Sequence, residues 1–212
     1  VSPAGEGPGL LALDARILLH EAEGATCPAV RPAIRPYPSQ YVRGCTLADG
    51  STATIRPIRP EDAATEREFV DSLSERSRYL RFMYSLKNIT SQMVSRFTQI
   101  DYHNEMALIA MVNRDGEEEQ IGVARYVTNI DKKSCEFALV VADAWHGRSI
   151  GHHLMRELMN VARDRELETM EGQVLSNNRR MLGLMTSLGF EAEIDPEDES
   201  LRHVVARLHR TT

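Results

Sequence analysis

The segment from Cys135 to Ala162 constrains this chain more than any other. Cys135-Glu-Phe-Ala-Leu-Val-Val141 is an apolar run of strand length, and a short loop containing Gly147 and Arg148 follows it. Beyond the loop, Ile150, Leu154, Leu158, Val161 and Ala162 fall on one face of a helix. A strand that runs through a loop into a helix aims free backbone N–H groups and the positive end of a dipole at one point, which suits a pyrophosphate. Gly147 and Gly151 let the backbone approach such a ligand closely, and Arg148 adds a cation.

The rest of the chain supplies a sheet around that unit. Asp49-Gly50 between the β-prone flanks of Thr46–Ile55 predicts a hairpin with a type I′ turn. Pro60-Glu-Asp opens a helix over Ala63–Leu73, and Ser74–Met83 and Thr90–Ile100 read as further short helices. Met106–Val112, Ile121–Ile130, Cys135–Val141 and Thr169–Leu175 read as strands. Asn178–Leu188 reads as a helix, and the last strands run from Gly189-Phe190 to about Val204–Leu208. This order gives an α+β, or mixed α/β, layout around one sheet.

Residues 1–40 have a different texture. Ser2–Gly9 is Gly/Pro-rich, Leu10–Leu19 reads as one strand without a nearby partner, and Pro28, Pro32, Pro36 and Pro38 make Glu21–Ser39 an extended linker. The regular pattern occupies residues 41–212. A hydrophobic share of 42% and a charged share of 26% place the chain among globular proteins. A formal net charge of −6 argues against a nucleic-acid module, whose footprint is basic. No apolar run approaches the ~20 residues that span a bilayer. Cys27, Cys45 and Cys135 are scattered and form no C-x-x-C pair, so neither a disulfide framework nor a zinc ribbon is expected, and a reducing cytoplasm is. The chain starts on Val1 with no signal-peptide pattern and reads as a piece of a longer protein.

Trp145-His-Gly-Arg-Ser-Ile-Gly151 resembles the acetyl-CoA loop of the GNAT N-acetyltransferases, Gln/Arg-x-x-Gly-x-Gly/Ala. His146 stands at the Gln/Arg position, Ser149 at the first Gly and Gly151 at the last. Gln120-Ile-Gly-Val-Ala-Arg125 resembles the strand before the base-bearing strand of that family, and Asn177-Asn178 with Leu188-Gly-Phe190 resembles its later signature. The resemblance spans about residues 45–210 and implies a GNAT-like, mostly antiparallel central sheet flanked by helices. Pro36–Ser39, Ile55-Arg-Pro-Ile-Arg-Pro-Glu-Asp62 and Asp101–Leu108 resemble, more closely, the C-terminal acetyltransferase domain of bacterial Pat-type protein lysine acetyltransferases. Leu10–Leu19 then resembles the closing strand of the ATP-grasp part of an upstream acyl-CoA-synthetase-like region. This resemblance implies acetyl-CoA as cosubstrate and no metal. It also implies, as partner, a protein bearing an accessible lysine, an AMP-forming acyl-CoA synthetase switched off by acetylation.

The site residues follow by the same route. Leu139, Val140 and Val141 occupy the family's pantetheine-binding strand, whose backbone N–H also polarises the thioester carbonyl. His146, Gly147, Arg148, Ser149, Ile150, Gly151 and His152 form the phosphate cradle, and Asn178 meets the coenzyme arm or caps its helix. A lysine ammonium with a pKa near 10.4 needs a base. Glu136, alone among apolar neighbours, matches the family's catalytic Glu, and semi-burial would raise its pKa to a useful value. Glu105 is the second candidate base. Cys135 invites an acetyl-Cys route, but adjacent strand residues point to opposite faces, so it cannot share the thioester with Glu136. It reads as a core residue. His152-His153 has no third ligand at suitable spacing for a metal. Met185 stands where small-molecule members carry an acidic Tyr, which favours a protein acceptor. Acid residues at Asp195–Glu199 read as a solvated loop. A small-amine acetyltransferase and a non-catalytic acyl-CoA sensor are the alternatives.

Overall fold

The computed structural model describes residues 36–86, 88–114 and 116–208. The strand expected over Leu10–Leu19 and most of the linker lie outside these residues. Eight strands form one sheet: β1 (Arg43–Thr46), β2 (Thr52–Pro57), β3 (Glu105–Arg114), β4 (Glu117–Thr128), β5 (Ser134–Val141), β6 (Thr169–Leu175), β7 (Glu191–Ile194) and β8 (Leu201–Arg207). Their spatial order is β1-β2-β3-β4-β5-β6-β8-β7. Every neighbouring pair is antiparallel except β5 and β6, which are parallel. Parallel neighbours need a crossover, and α4 (Ile150–Asp164) provides it. The remaining helices are α1 (Ala63–Ser72), α2 (Glu75–Phe82), α3 (Ser91–Thr98) and α5 (Arg179–Ser187).

Within the described residues the expected strands and helices form, and burial explains why. Alternation along β5 sends Cys135, Phe137 and Leu139 to one face of the sheet and Glu136 and Val140 to the other. On the first face Leu154, Met155, Leu158, Val161 and Ala162 of α4 pack with Leu108, Ala124 and Tyr126. On the second, Phe69 and Val70 of α1 and Val94 of α3 pack with Ala107, Ile109 and Val123. Side-chain caps start α2, α3 and α5: Ser74 accepts from Ser77 N–H, Thr90 from Met93 N–H and Asn178 from Met181 N–H.

The hairpin turn differs from the expected type I′. Gly50 has φ +83°, whereas Asp49 is not left-handed. Gly50 N–H donates to Leu47 C=O at 3.0 Å and Leu47 N–H to Ser51 C=O at 2.8 Å. This is a type I turn closed by a left-handed glycine bulge, which one glycine suffices to make. Asp49 accepts from the Ser51 N–H at 3.0 Å, and that bond favours its conventional backbone.

Candidate active site

β5 and β6 are paired only at Ser134–Thr169, Cys135–Met170 and Glu136–Glu171. Beyond Glu136, β5 stays paired with β4 as far as Val141, and beyond Glu171, β6 stays paired with β8. The two strands therefore part in the middle of the sheet. Phe137 and Gly172 sit at the fork. A Cβ at Gly172 would come within 2.7 Å of the Phe137 ring, so the ring packs directly against bare backbone. Phe190 meets that ring edge-on at a centroid distance of 5.3 Å.

Parting exposes backbone groups. Ala142 N–H donates to Ile121 C=O at 2.9 Å. Alternation in an antiparallel ladder then turns the N–H and C=O of Leu139 and Val141 away from β4, toward the parting. The Val141 carbonyl is taken by His146 Nε2 at 2.9 Å. Leu139 keeps both groups for a ligand that lies along the strand.

A cleft of about 710 Å³ occupies this place. Leu139, Val140, Val141, His146, Gly147, Ser149, Ile150, Gly151, His152 and Asn178 line it. Arg148, expected in the same cradle, does not. Its guanidinium reaches the β1–β2 turn, with Nη1 2.5 Å from Asp49 Oδ2, and stacks 4.7 Å above the Trp145 ring. Asn178 lines the cleft while its Oδ1 accepts from Met181 N–H at 3.2 Å, so it caps α5. Ser149, at the position of the family's glycine, is left-handed with φ +67° and makes no side-chain cap bond.

Several lining residues were not anticipated from sequence. Arg179 and Arg180 open α5, and Arg76, Ser77, Leu80 and Arg81 present one face of α2. A signal for the first pair was available, because two cations in a first helical turn oppose the dipole unless an anion sits there. The role of α2 has no local signature. Its Ser74 and Ser77 hydroxyls donate to Asp143 Oδ1 at 2.9 and 2.7 Å, and Ser74 N–H donates to Oδ2 at 3.0 Å. Burial works against the Asp143 carboxylate, but these three bonds outweigh it and hold its pKa below the usual range.

Glu136 stands at the fork, exposed rather than half-buried as expected. The register places it in one row with Glu105, Val127 and Glu171 across β3–β6. Glu105 is held bidentately by Arg96 at 2.8 Å for both bonds. Glu171 accepts from Asn129 Nδ2 at 2.7 Å and lies 3.1 Å from His203 Nε2. Among the described residues, Glu136 alone of the three carboxylates has no hydrogen-bonded partner. Cys135 faces the opposite core, fully buried, and burial pushes its thiol up to about 12. No group of three or more His, Cys, Asp or Glu side chains among the described residues is placed to hold a metal. No helix among them is long and apolar enough to cross a membrane.

Comparison with known proteins decides the family. The family model described as an acetyltransferase (GNAT) domain matches residues 53–191. The chain belongs to the GNAT acetyltransferase family. GNAT domains use acetyl-CoA as acyl donor. The chain is 36% identical over 163 residues to acetyltransferase PA5475 of Pseudomonas aeruginosa, a match covering 77% of this chain and 87% of that protein. The GNAT domain of S. lividans PAT superposes with a TM-score of 0.75 at 26% identity, covering 81% of this chain and 99% of that one. A cAMP-binding acyltransferase from Mycobacterium smegmatis shares the fold, with a TM-score of 0.54 at 22% identity over 80% of this chain and 49% of its own.

Proposed function

We propose that this GNAT domain transfers the acetyl group of acetyl-CoA to a lysine side chain of a target protein, in a ternary complex with Glu136 as general base. The observation that carries the proposal is the fork between β5 and β6. A thioester lying along Leu139 has free backbone groups on one side and reaches Glu136 at the point where the strands part. The pyrophosphate then meets the start of α4 and the arginines that open α5, which suits an anion.

The acceptor side favours a macromolecule. Glu136 is exposed, and its β4 neighbour Val127 is 40% exposed. Tyr84, after α2, is 52% exposed, and Ile130, before β5, is 99% exposed. An open, partly apolar approach admits a lysine on a protein surface more readily than it encloses a small amine. Met185 is 1% exposed and supplies no proton, so the thiolate leaves without a side-chain acid. The likeness to the GNAT domain of S. lividans PAT supports a protein substrate, and within that reading an AMP-forming acyl-CoA synthetase in the bacterial cytoplasm is the target of choice.

The test is acetylation of such a synthetase followed by mass spectrometry. Wild-type protein is expected to modify one lysine and inactivate the synthetase. Glu136→Gln is expected to bind acetyl-CoA with unchanged affinity and transfer nothing at neutral pH. Wild-type protein that acetylates only free amines would overturn the lysine assignment.

A further inference from the structure

Arg81 is a guanidinium without a hydrogen-bonded partner among the described residues, and it lines the cleft. Its nearest ring is Phe82, 5.1 Å from the guanidinium carbon. Burial brings its pKa down to about 10, so it remains a cation at neutral pH. Neighbouring charges are Arg125 of β4, Glu66 of α1 and Glu136 of β5. None of the three forms an ion pair with it. Glu66 is 2% exposed and is occupied by Gln120, whose Nε2 donates to it at 2.5 Å. Arg125 is occupied by the Phe97 carbonyl at 3.0 Å.

The position of Arg81 along the cleft tells which part of the substrate it meets. Ser77 on α2 is bonded to Asp143, just past the end of β5. Arg81 lies one helical turn further on, about 6 Å from Ser77 along the axis. It feels Glu136, which lies near the other end of β5. So α2 runs back along β5 from the phosphate end toward the reacting end. The phosphates are met by α4 and α5, and Arg81 is left for the acyl end. There Arg81 lines the cleft and Glu136, which does not line it, stands close enough to act on Arg81 electrostatically, and the cation and the carboxylate do not bond each other.

We propose that Arg81 is a second catalytic residue, donating N–H bonds to the acyl oxygen as it becomes an oxyanion. The assignment rests on the acetyltransferase reading above. The acceptor ammonium gives one proton to Glu136. Its nitrogen then bonds to the thioester carbon, and the carbonyl π pair moves onto oxygen, against Arg81. On collapse that pair reforms the carbonyl, the C–S bond breaks toward sulfur, and the second nitrogen proton neutralises the thiolate through water. Charge appears on the oxygen only during reaction, so a donor there raises the rate without tightening ground-state binding.

The experiment measures thiol release from acetyl-CoA with a lysine acceptor and, separately, with water alone, for wild type, Arg81→Gln and Arg81→Lys. Arg81→Gln is expected to slow both reactions by on the order of 100-fold, with a dissociation constant for acetyl-CoA within about 3-fold of wild type and an unchanged melting temperature. Arg81→Lys keeps the cation and is expected to recover part of the rate. Arg81→Gln in a Glu136→Gln background is expected to slow the water reaction again. Loss of acetyl-CoA affinity in both folded variants would make Arg81 a binding residue and overturn the proposal. So would a Glu136→Gln background in which Arg81→Gln has no effect. Wild type that releases thiol to water but acetylates no lysine sinks the lysine reading and leaves the Arg81 comparison standing in the water assay. Wild type inert in both assays overturns both.

Discussion

The Ser77 hydroxyl donates to the Asp143 carboxylate at 2.7 Å, and through this contact the helix that carries Arg81 is fastened to the loop that opens α4. Coenzyme cradle and acyl end thus share a support. Removing the carboxylate takes away three hydrogen bonds, two of them from the N-cap residue Ser74.

Asp143→Ala is expected to lower stability by about 1 kcal/mol. The acid dependence has a defined sign. The folded pKa is depressed, so the contribution is complete above the unfolded value of about 3.9 and is lost as pH falls through the lower folded value. Melting temperatures of wild type and variant should differ by a constant amount at neutral pH and converge below about pH 4.

Ser149→Gly should stabilise the protein. Ser149 holds φ +67° without a capping bond from its hydroxyl, so the side chain brings strain and no compensating contact. Relief is worth about 1 kcal/mol. For a chain of this size, calorimetry should register a rise of about 2–4 °C. An unchanged or lower melting temperature would refute the strain argument.

Gly172→Ala should have the opposite effect. The new methyl would sit 2.7 Å from a Phe137 ring carbon, and the ring is backed by Phe190. Overpacking of this kind costs about 1–3 kcal/mol. Acetyl-CoA affinity should drop as well, because the ring can yield only by shifting at the fork. Adding Phe137→Leu should restore part of the melting temperature.

Replacing Arg179 and Arg180 together by Ala should weaken coenzyme binding by on the order of 100-fold, since a charge-assisted bond to an anion contributes about 1.5–3 kcal/mol and each 1.4 kcal/mol is tenfold. Arg148→Ala should change affinity far less, as that side chain is spent on Asp49 and Trp145. Calorimetric titration with coenzyme A separates the two. Equal losses would return Arg148 to the phosphate site.

Cys135→Ala should leave transfer intact. The thiol is fully buried on the far face of β5, its pKa is pushed up to about 12 by burial, and it cannot ionise at neutral pH. A stability loss of about 1 kcal/mol is the expected cost. Abolished transfer in the folded variant would revive a covalent route.

Periodicity carried the architecture. The apolar stripe of α4 and the alternation of β5 each have one burial solution, so the strand, loop and helix of the site were legible at once. Arg81 and Arg148 were not, for one reason. A long cationic side chain has several rotamers, and which anion it reaches depends on the tertiary partner. Asp49 and Arg148 are far apart in sequence, and nothing local joins them. The hairpin was legible as an element, but its turn type depended on one local bond from Ser51 to Asp49.

The ring of Phe137 resting on bare backbone at Gly172 has a kinetic corollary. A slot wedged open by the protein's own side chain exists before any coenzyme arrives, and no ladder bond has to break for entry. Association should then proceed in a single phase whose rate rises linearly with coenzyme concentration, without the plateau that marks a preceding rearrangement.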